Sequence, residues 1–196
     1  MSKIALTPNA SGSGTFTIAS PNSDTDRTLT LPDEAGTVLT SASSIGTDSI
    51  TVPYFEAQMS GTQTISAATE TTVQYATEVY DSNGWYDNTT YTFTPQIAGL
   101  YLFNAVVNFG ENGTNLSHCR VIFNKSGTEY TGSQIWLYSG GHLTYLDTFH
   151  SSNSRLIYMN GSTDNVKVTA WSQQSARIRG TSINVGQFSG YLVKAF

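Results

Sequence analysis

The sequence predicts an all-β protein built as a sandwich of two sheets, on three observations. The stretch 91–110, YTFTPQIAGLYLFNAVVNFG, alternates with a period of two, the side-chain period of a strand. Short runs of β-branched and aromatic residues recur with turn residues between them, spaced roughly eight to twelve residues apart. No segment carries apolar residues at helical spacing. In the 91–110 stretch, Tyr101, Phe103, Ala105, Val107 and Phe109 share one wholly apolar face, expected in a core. Leu102, Asn104, Val106 and Asn108 share the other, which mixes apolar and amide groups. Pro95 opens a turn over 95–98, and Gly99 starts the long strand.

Composition narrows the class. The chain has 196 residues, 38% hydrophobic and only 12% charged, with a formal net charge of −5. The charged share is about half the usual quarter, and Ser, Thr, Asn, Gly and Tyr take its place. No basic patch is visible, so neither duplex nucleic acid nor an acidic membrane is an expected partner. The single cysteine, Cys119, sits inside a strand pattern and reads as a small residue in or near the core rather than a reactive thiol. No disulfide framework is implied. Residues 2–4 lead straight into polar sequence, so no signal peptide is expected, and no apolar run approaches membrane-spanning length. The acceptor patterns at Asn88 and Asn115 read as chance in an Asn/Thr-rich chain.

The chain divides at about residue 50. Residues 1–50 are rich in Ser, Thr, Gly and Asp and hold Phe16 as their only aromatic. Runs at 14–18, 27–31 and 37–40 alternate, but each is too short and too sparsely apolar to bury a core alone. They need pairing with other chains or a partner. Residues 41–52 form a Ser/Thr linker. The second domain, 51–196, should open with a strand from Pro53, then a strand pair or bend over 64–75, a long loop over 76–90, and the central strand. Further strands are expected at 117–124, 134–138, 143–150, 155–159, 165–172 and 183–196, with turns at 111–114, 125–127 and 139–141.

Two resemblances sharpen this reading. Phe93, Gly99, Tyr101 and Phe103 form Phe-x5-Gly-x-Tyr-x-Phe. This resembles the central signature of the C1q-type globular head, a jelly roll of the tumour-necrosis-factor superfamily. The resemblance runs over about 53–196. Phe55 and Ala57 suit the first strand. Residues 78–87 suit the stretch before the signature. Leu156, Gly161, Asp164, Val166 and Val168 resemble a Leu-x-x-Gly-Asp-x-Val-x-Val pair of strands, with two extra residues between Gly161 and Asp164. Phe188, Gly190 and Leu192 resemble the closing Phe-x-Gly-x-Leu strand. Gly99 and Gly190 fall where a neighbouring ring or backbone needs space. The resemblance implies a trimeric head. The collagen stalk of the complement proteins is missing, because no Gly-x-y repeat occurs. In its place RTLTLPDEAGTVLTS, residues 27–41, resembles a segment of tailed-phage fibre and virion proteins that lies upstream of a distal module.

Together these imply a non-enzymatic virion structural protein, made in the host cytoplasm and displayed on the particle. The expected form is a trimeric C1q-like jelly-roll head behind an extended, virion-anchoring N-terminal β segment. A short fibre or spike adhering to the host surface is the leading expectation. A capsid decoration or head fibre is the structural alternative, and a carbohydrate-binding lectin the alternative from another class. Expected partners are two further copies of the chain, other virion proteins through residues 1–50, and a host-surface glycan or protein. Leu102, Val106, Asn104 and Asn108 are the expected trimer contacts. Among the aromatics, Trp85 and Tyr86, beside the Asn83-Gly84 turn, are the expected receptor contacts, while Trp136 and Trp171 sit in strand patterns and read as core or interface.

Catalytic chemistry finds no foothold. His118, His142 and His150 are scattered, without metal-ligand spacing, and no nucleophile elbow, P-loop or dinucleotide fingerprint occurs. Asp81 and Asp87 flank Trp85 and Tyr86, but read as solvated turn residues rather than a glycosidase pair. With Asn83 they lack the full calcium-loop pattern and its terminal Glu. No cofactor is expected.

Overall fold

A computed structural model describes residues 11–15, 17, 19, 22–26, 28, 52–136, 148–180 and 186–196. The chain divides into two units, Met1–Ser44 and Ile45–Phe196. In the first unit the Thr25 amide donates to Ser23 Oγ at 3.2 Å. The expected runs at 14–18, 27–31 and 37–40 lie outside the described residues apart from isolated positions. Tyr138, His142 and the expected turn at 139–141 lie outside them too.

The second unit is all-β, with thirteen strands among its described residues. They are β1 (Tyr54–Gln58), β2 (Gln63–Ile65), β3 (Thr71–Thr72), β4 (Thr77–Asp81), β5 (Tyr86–Asp87), β6 (Thr92–Phe93), β7 (Ala98–Glu111), β8 (His118–Lys125), β9 (Thr128–Trp136), β10 (Thr148–Asn160), β11 (Val166–Ser172), β12 (Ala176–Ile178) and β13 (Gln187–Ala195). The first sheet runs β2-β12-β7-β13-β1-β4, with β10 along the other edge of β7. The second runs β5-β6-β11-β8-β9, with β3 also on β11. All the pairings are antiparallel.

The central strand β7 buries Tyr101, Phe103, Ala105, Val107 and Phe109. These meet Phe93, Val121, Phe123, Val166 and Val168 of the second sheet in one core. Phe55 is its aromatic hub, with ring centroids at 4.2 Å from Phe93, 4.8 Å from Phe188 and 5.3 Å from Tyr86. Burying one such ring stabilises by roughly 1.5–3 kcal/mol, and good ring pairs add about 0.5–1.5 kcal/mol. Two glycines make room for this packing. A Cβ on Gly190 would meet the Phe103 ring at 2.6 Å and Phe55 at 2.9 Å. A Cβ on Gly99 would strike the Lys194 carbonyl oxygen.

Some of the expected elements change. Residues 76–90 are not one long loop, because β4 and β5 lie within them. The strands expected at 143–150 and 155–159 are joined where the chain is described: β10 continues from Thr148 through Asn160, paired with β7 over its whole length. Ser151 and Asn153 are buried on its inner face, and Asn153 reaches the Val121 and Tyr130 carbonyls of the second sheet at 3.5 Å. The widened turn between Gly161 and Asp164 is tightly bonded. Asn160 Oδ1 accepts the amides of Ser162, Thr163 and Asp164 at 3.0 Å each, and Asp164 pairs with Lys125 Nζ at 2.8 Å.

Candidate functional site

Two surfaces stand out, one on the outer face of each sheet. Because β7 alternates, Leu102, Asn104 and Val106 point away from the core and are half-buried. The register extends them into rows. Tyr54 lies across from Tyr191, Tyr191 from Leu102, and Leu102 from Leu156, giving an apolar row over four strands. The next row is Glu56, Ser189, Asn104 and Ser154, and the third is Gln58, Gln187, Val106 and Ser152. Glu56 is the single formal charge in these three rows. Leu156 is 53% exposed and Tyr54 48%. Tyr158, across from Leu100, continues the apolar surface towards Phe196, whose ring lies 6.0 Å from it. Asn108 departs from its neighbours. It is fully buried, and its amide nitrogen donates to the Arg179 carbonyl at 3.4 Å, so it serves the end of the sandwich and not this face.

One member of the expected receptor pair, Tyr86, is corrected. Tyr86 is only 6% exposed. Its ring stacks on Phe55, and its hydroxyl donates to the buried Tyr75 carbonyl at 2.8 Å. Burial pushes that hydroxyl's pKa well above its ordinary value. Trp85 is half-buried and leans on Phe93. The loop turns both inward because Asp81 caps it: its carboxylate accepts the amides of Asn83, Gly84 and Tyr86 at 2.7–3.1 Å. Asp87 accepts the Thr89 amide and hydroxyl and the Thr90 amide, and those bonds lower its carboxyl to about 2. Both carboxylates therefore act as turn caps.

The outer face of the second sheet holds what the aromatic pattern misplaced. Trp136 is not a core residue of this chain: it is 70% exposed. Its ring lies flat on His118, with centroids 3.7 Å apart and planes 11° apart. His118 in turn meets the edge of Trp171 at 5.1 Å. Arg120, one pleat along from His118, places its guanidinium 4.4 Å over the Trp171 ring. Across from Arg120 on β9 is exposed Gln134. Arg120 Nε and His118 Nε2 are buried without a hydrogen-bond partner among the described residues. Farther along, a hydrogen bond and repulsion from Glu70 raise the Glu129 pKa, which the Arg120 charge opposes.

No group of metal-ligating side chains large enough to hold an ion occurs among the described residues. His118 and His150 lie on different sheets. Cys119 is buried, and burial raises its thiol to about 11. A depression of about 150 Å³ beside Ser60, Thr62, Gln63 and Gln74 is below the size that encloses a small-molecule ligand. No helix among the described residues is long and apolar enough to cross a membrane.

Comparison with known proteins defines the fold class: a jelly roll of the C1q and tumour-necrosis-factor kind. The globular domain of zebrafish complement 1qA protein superposes with a TM-score of 0.51 at 13% identity, covering 74% of this chain and 99% of its own. Murine APRIL at pH 5.0 superposes at 0.52 and 10% identity, covering 72% and 99%. PRD1 vertex protein P5 superposes at 0.51 and 14% identity, covering 72% and 97%. No protein-family profile matches the chain, and no curated protein sequence matches it.

Proposed function

We propose that the chain is a non-enzymatic structural protein of a phage virion, displayed as a homotrimeric spike or short fibre. Residues 1–50 attach it to the particle, and residues 51–196 form the projecting head. The observation that carries the assembly is the nearly uncharged outer face of the first sheet. Tyr54, Tyr191, Leu102 and Leu156 form one apolar row, and Asn104, Gln58 and Gln187 beside them supply amides that can pair between subunits. Three-fold closure makes a finite particle, and it lets three sparse N-terminal segments pair where one alone has no core. An obligate contact of this kind buries on the order of 2,000 Å² or more.

The virion context is supported by the 27–41 segment. Placement on the capsid is the second reading, favoured by the likeness in fold to a vertex protein. Immunogold labelling of purified particles with antibody to residues 51–196 tests the reading. Gold at the tail tip supports the spike, gold on the shell supports decoration, and unlabelled particles overturn both.

A further inference from the structure

We propose that the outer face of the second sheet is a glycan-binding site centred on Trp136, with Arg120 and Gln134 as its hydrogen-bonding groups. The inference goes beyond the virion reading and depends only on this face.

Trp136 shows more of its surface than any other large apolar side chain among the described residues. It is nevertheless held in place, because its other face is stacked on buried His118. His118 is fixed in turn by Trp171, and Trp171 by Arg120. A flat, fixed indole with one open face suits the apolar side of a pyranose ring, and a rigid platform loses little side-chain entropy when the sugar arrives.

The neighbours supply the polar half. Register puts Arg120 directly across from Gln134, one pleat from the Trp136–His118 pair. Spacing along a strand is about 3.3 Å per residue, so side chains one pleat apart are about 7 Å apart, within reach of the hydroxyls on one sugar ring. The Arg120 guanidinium is aligned over the Trp171 ring, and because its Nε is buried a bond to a sugar would come from its terminal nitrogens. A planar guanidinium and an amide offer the paired donors and acceptors that vicinal hydroxyls require.

A folded protein partner fits this face less well. Among the described residues of this face Trp136 is the exposed apolar group, and the rows next to it are Gln134 and Arg120, then Thr131 and Thr169 around Ile122, then Glu129, Asn124 and Lys167. Protein interfaces need a larger apolar centre than one indole. The trimer proposed above uses the opposite sheet, so this face would remain open in it.

The test is a printed array of bacterial and mammalian glycans probed with the labelled full chain, followed by fluorescence titration with the strongest oligosaccharide. Wild-type protein should bind at least one pyranose-containing glycan. Trp136→Ala should weaken that binding roughly tenfold or more, the loss typical of a central Trp contact, with a melting temperature within about 4 °C of wild type. Gln134→Ala leaves the aromatic stack intact and should weaken binding several-fold, which decides the matter if Trp136→Ala disturbs folding. A wild-type chain that binds no glycan on the array overturns the proposal, as does full binding by Gln134→Ala and Trp136→Ala. Binding by wild type only to the array's glycoprotein spots, retained after the glycans are removed, identifies a protein partner and also overturns it. Sedimentation of the same samples reports the trimer separately, so failure of one reading is distinguishable from failure of the other.

Discussion

Gly190 lies directly across the β7–β13 ladder from Phe103, and the Phe103 ring occupies the space that a Cβ at Gly190 would take. Phe55 closes the same space from the neighbouring strand. Gly190→Ala should therefore overpack the aromatic hub and cost about 1–3 kcal/mol. Denaturant unfolding measures it, and a loss within a few tenths of a kcal/mol of zero would contradict this packing.

Tyr86 and Trp136 should separate cleanly. Tyr86→Ala removes a ring packed on Phe55 and Phe188 and the donor to the Tyr75 carbonyl, so it should cost about 3–5 kcal/mol. Trp136→Ala empties no core and should change stability by about 1 kcal/mol or less. Thermal unfolding of the two variants side by side checks the order, and the reverse order would restore Tyr86 to the surface.

Alkaline pH should destabilise the head. Burial raises the Cys119 thiol to about 11 and the Tyr101 hydroxyl to about 12, and pushes Tyr75 up as well. In the unfolded chain these groups titrate near pH 8.5 and 10 respectively. The folded state thus keeps protons that the unfolded chain releases. Stability is fully present below about pH 8.5 and declines as pH rises towards 11 and 12. The same burial should make Cys119 slow to alkylate with iodoacetamide at pH 8 until the chain is unfolded. Rapid labelling of native protein would contradict its placement.

The β7 alternation was legible because a strand with one face in the core carries the period of two in its side chains. Gly190 and Gly99 were legible for a related reason: a strand gives up Cβ where something must approach. The edge strand β4 read as loop because most of it is exposed, with no alternation to follow. The interruption expected near residues 151–154 arose from Ser151 and Asn153, polar groups on an inner face, of which Asn153 is accommodated by hydrogen bonds to carbonyls of the second sheet. Trp136 was misplaced for the opposite reason. A Trp in a strand pattern says nothing of which face it is on, and its position at the end of β9 across from His118 is a matter of register. Tyr86 was taken for exposed because a turn precedes it. The Asp81 carboxylate that folds this turn inward acts over five residues, beyond the reach of a local pattern.

The subunit contact predicts a sharp response to charge. Replacing Leu102 and Val106 together with Lys would bury unpartnered charges in the proposed contact while leaving the intrachain core unchanged, since both side chains point away from it. The variant should lose the trimer and weaken assembly at least a hundredfold. Size-exclusion chromatography over a dilution series reads this, and a trimer that survives unchanged would place the contact elsewhere.

Sedimentation equilibrium of the wild-type chain at micromolar concentration tests the central claim most directly. The account predicts a single species of three times the 21.2 kDa chain mass, unchanged on dilution through the micromolar range. A folded, stable species of 21.2 kDa under those conditions would contradict it.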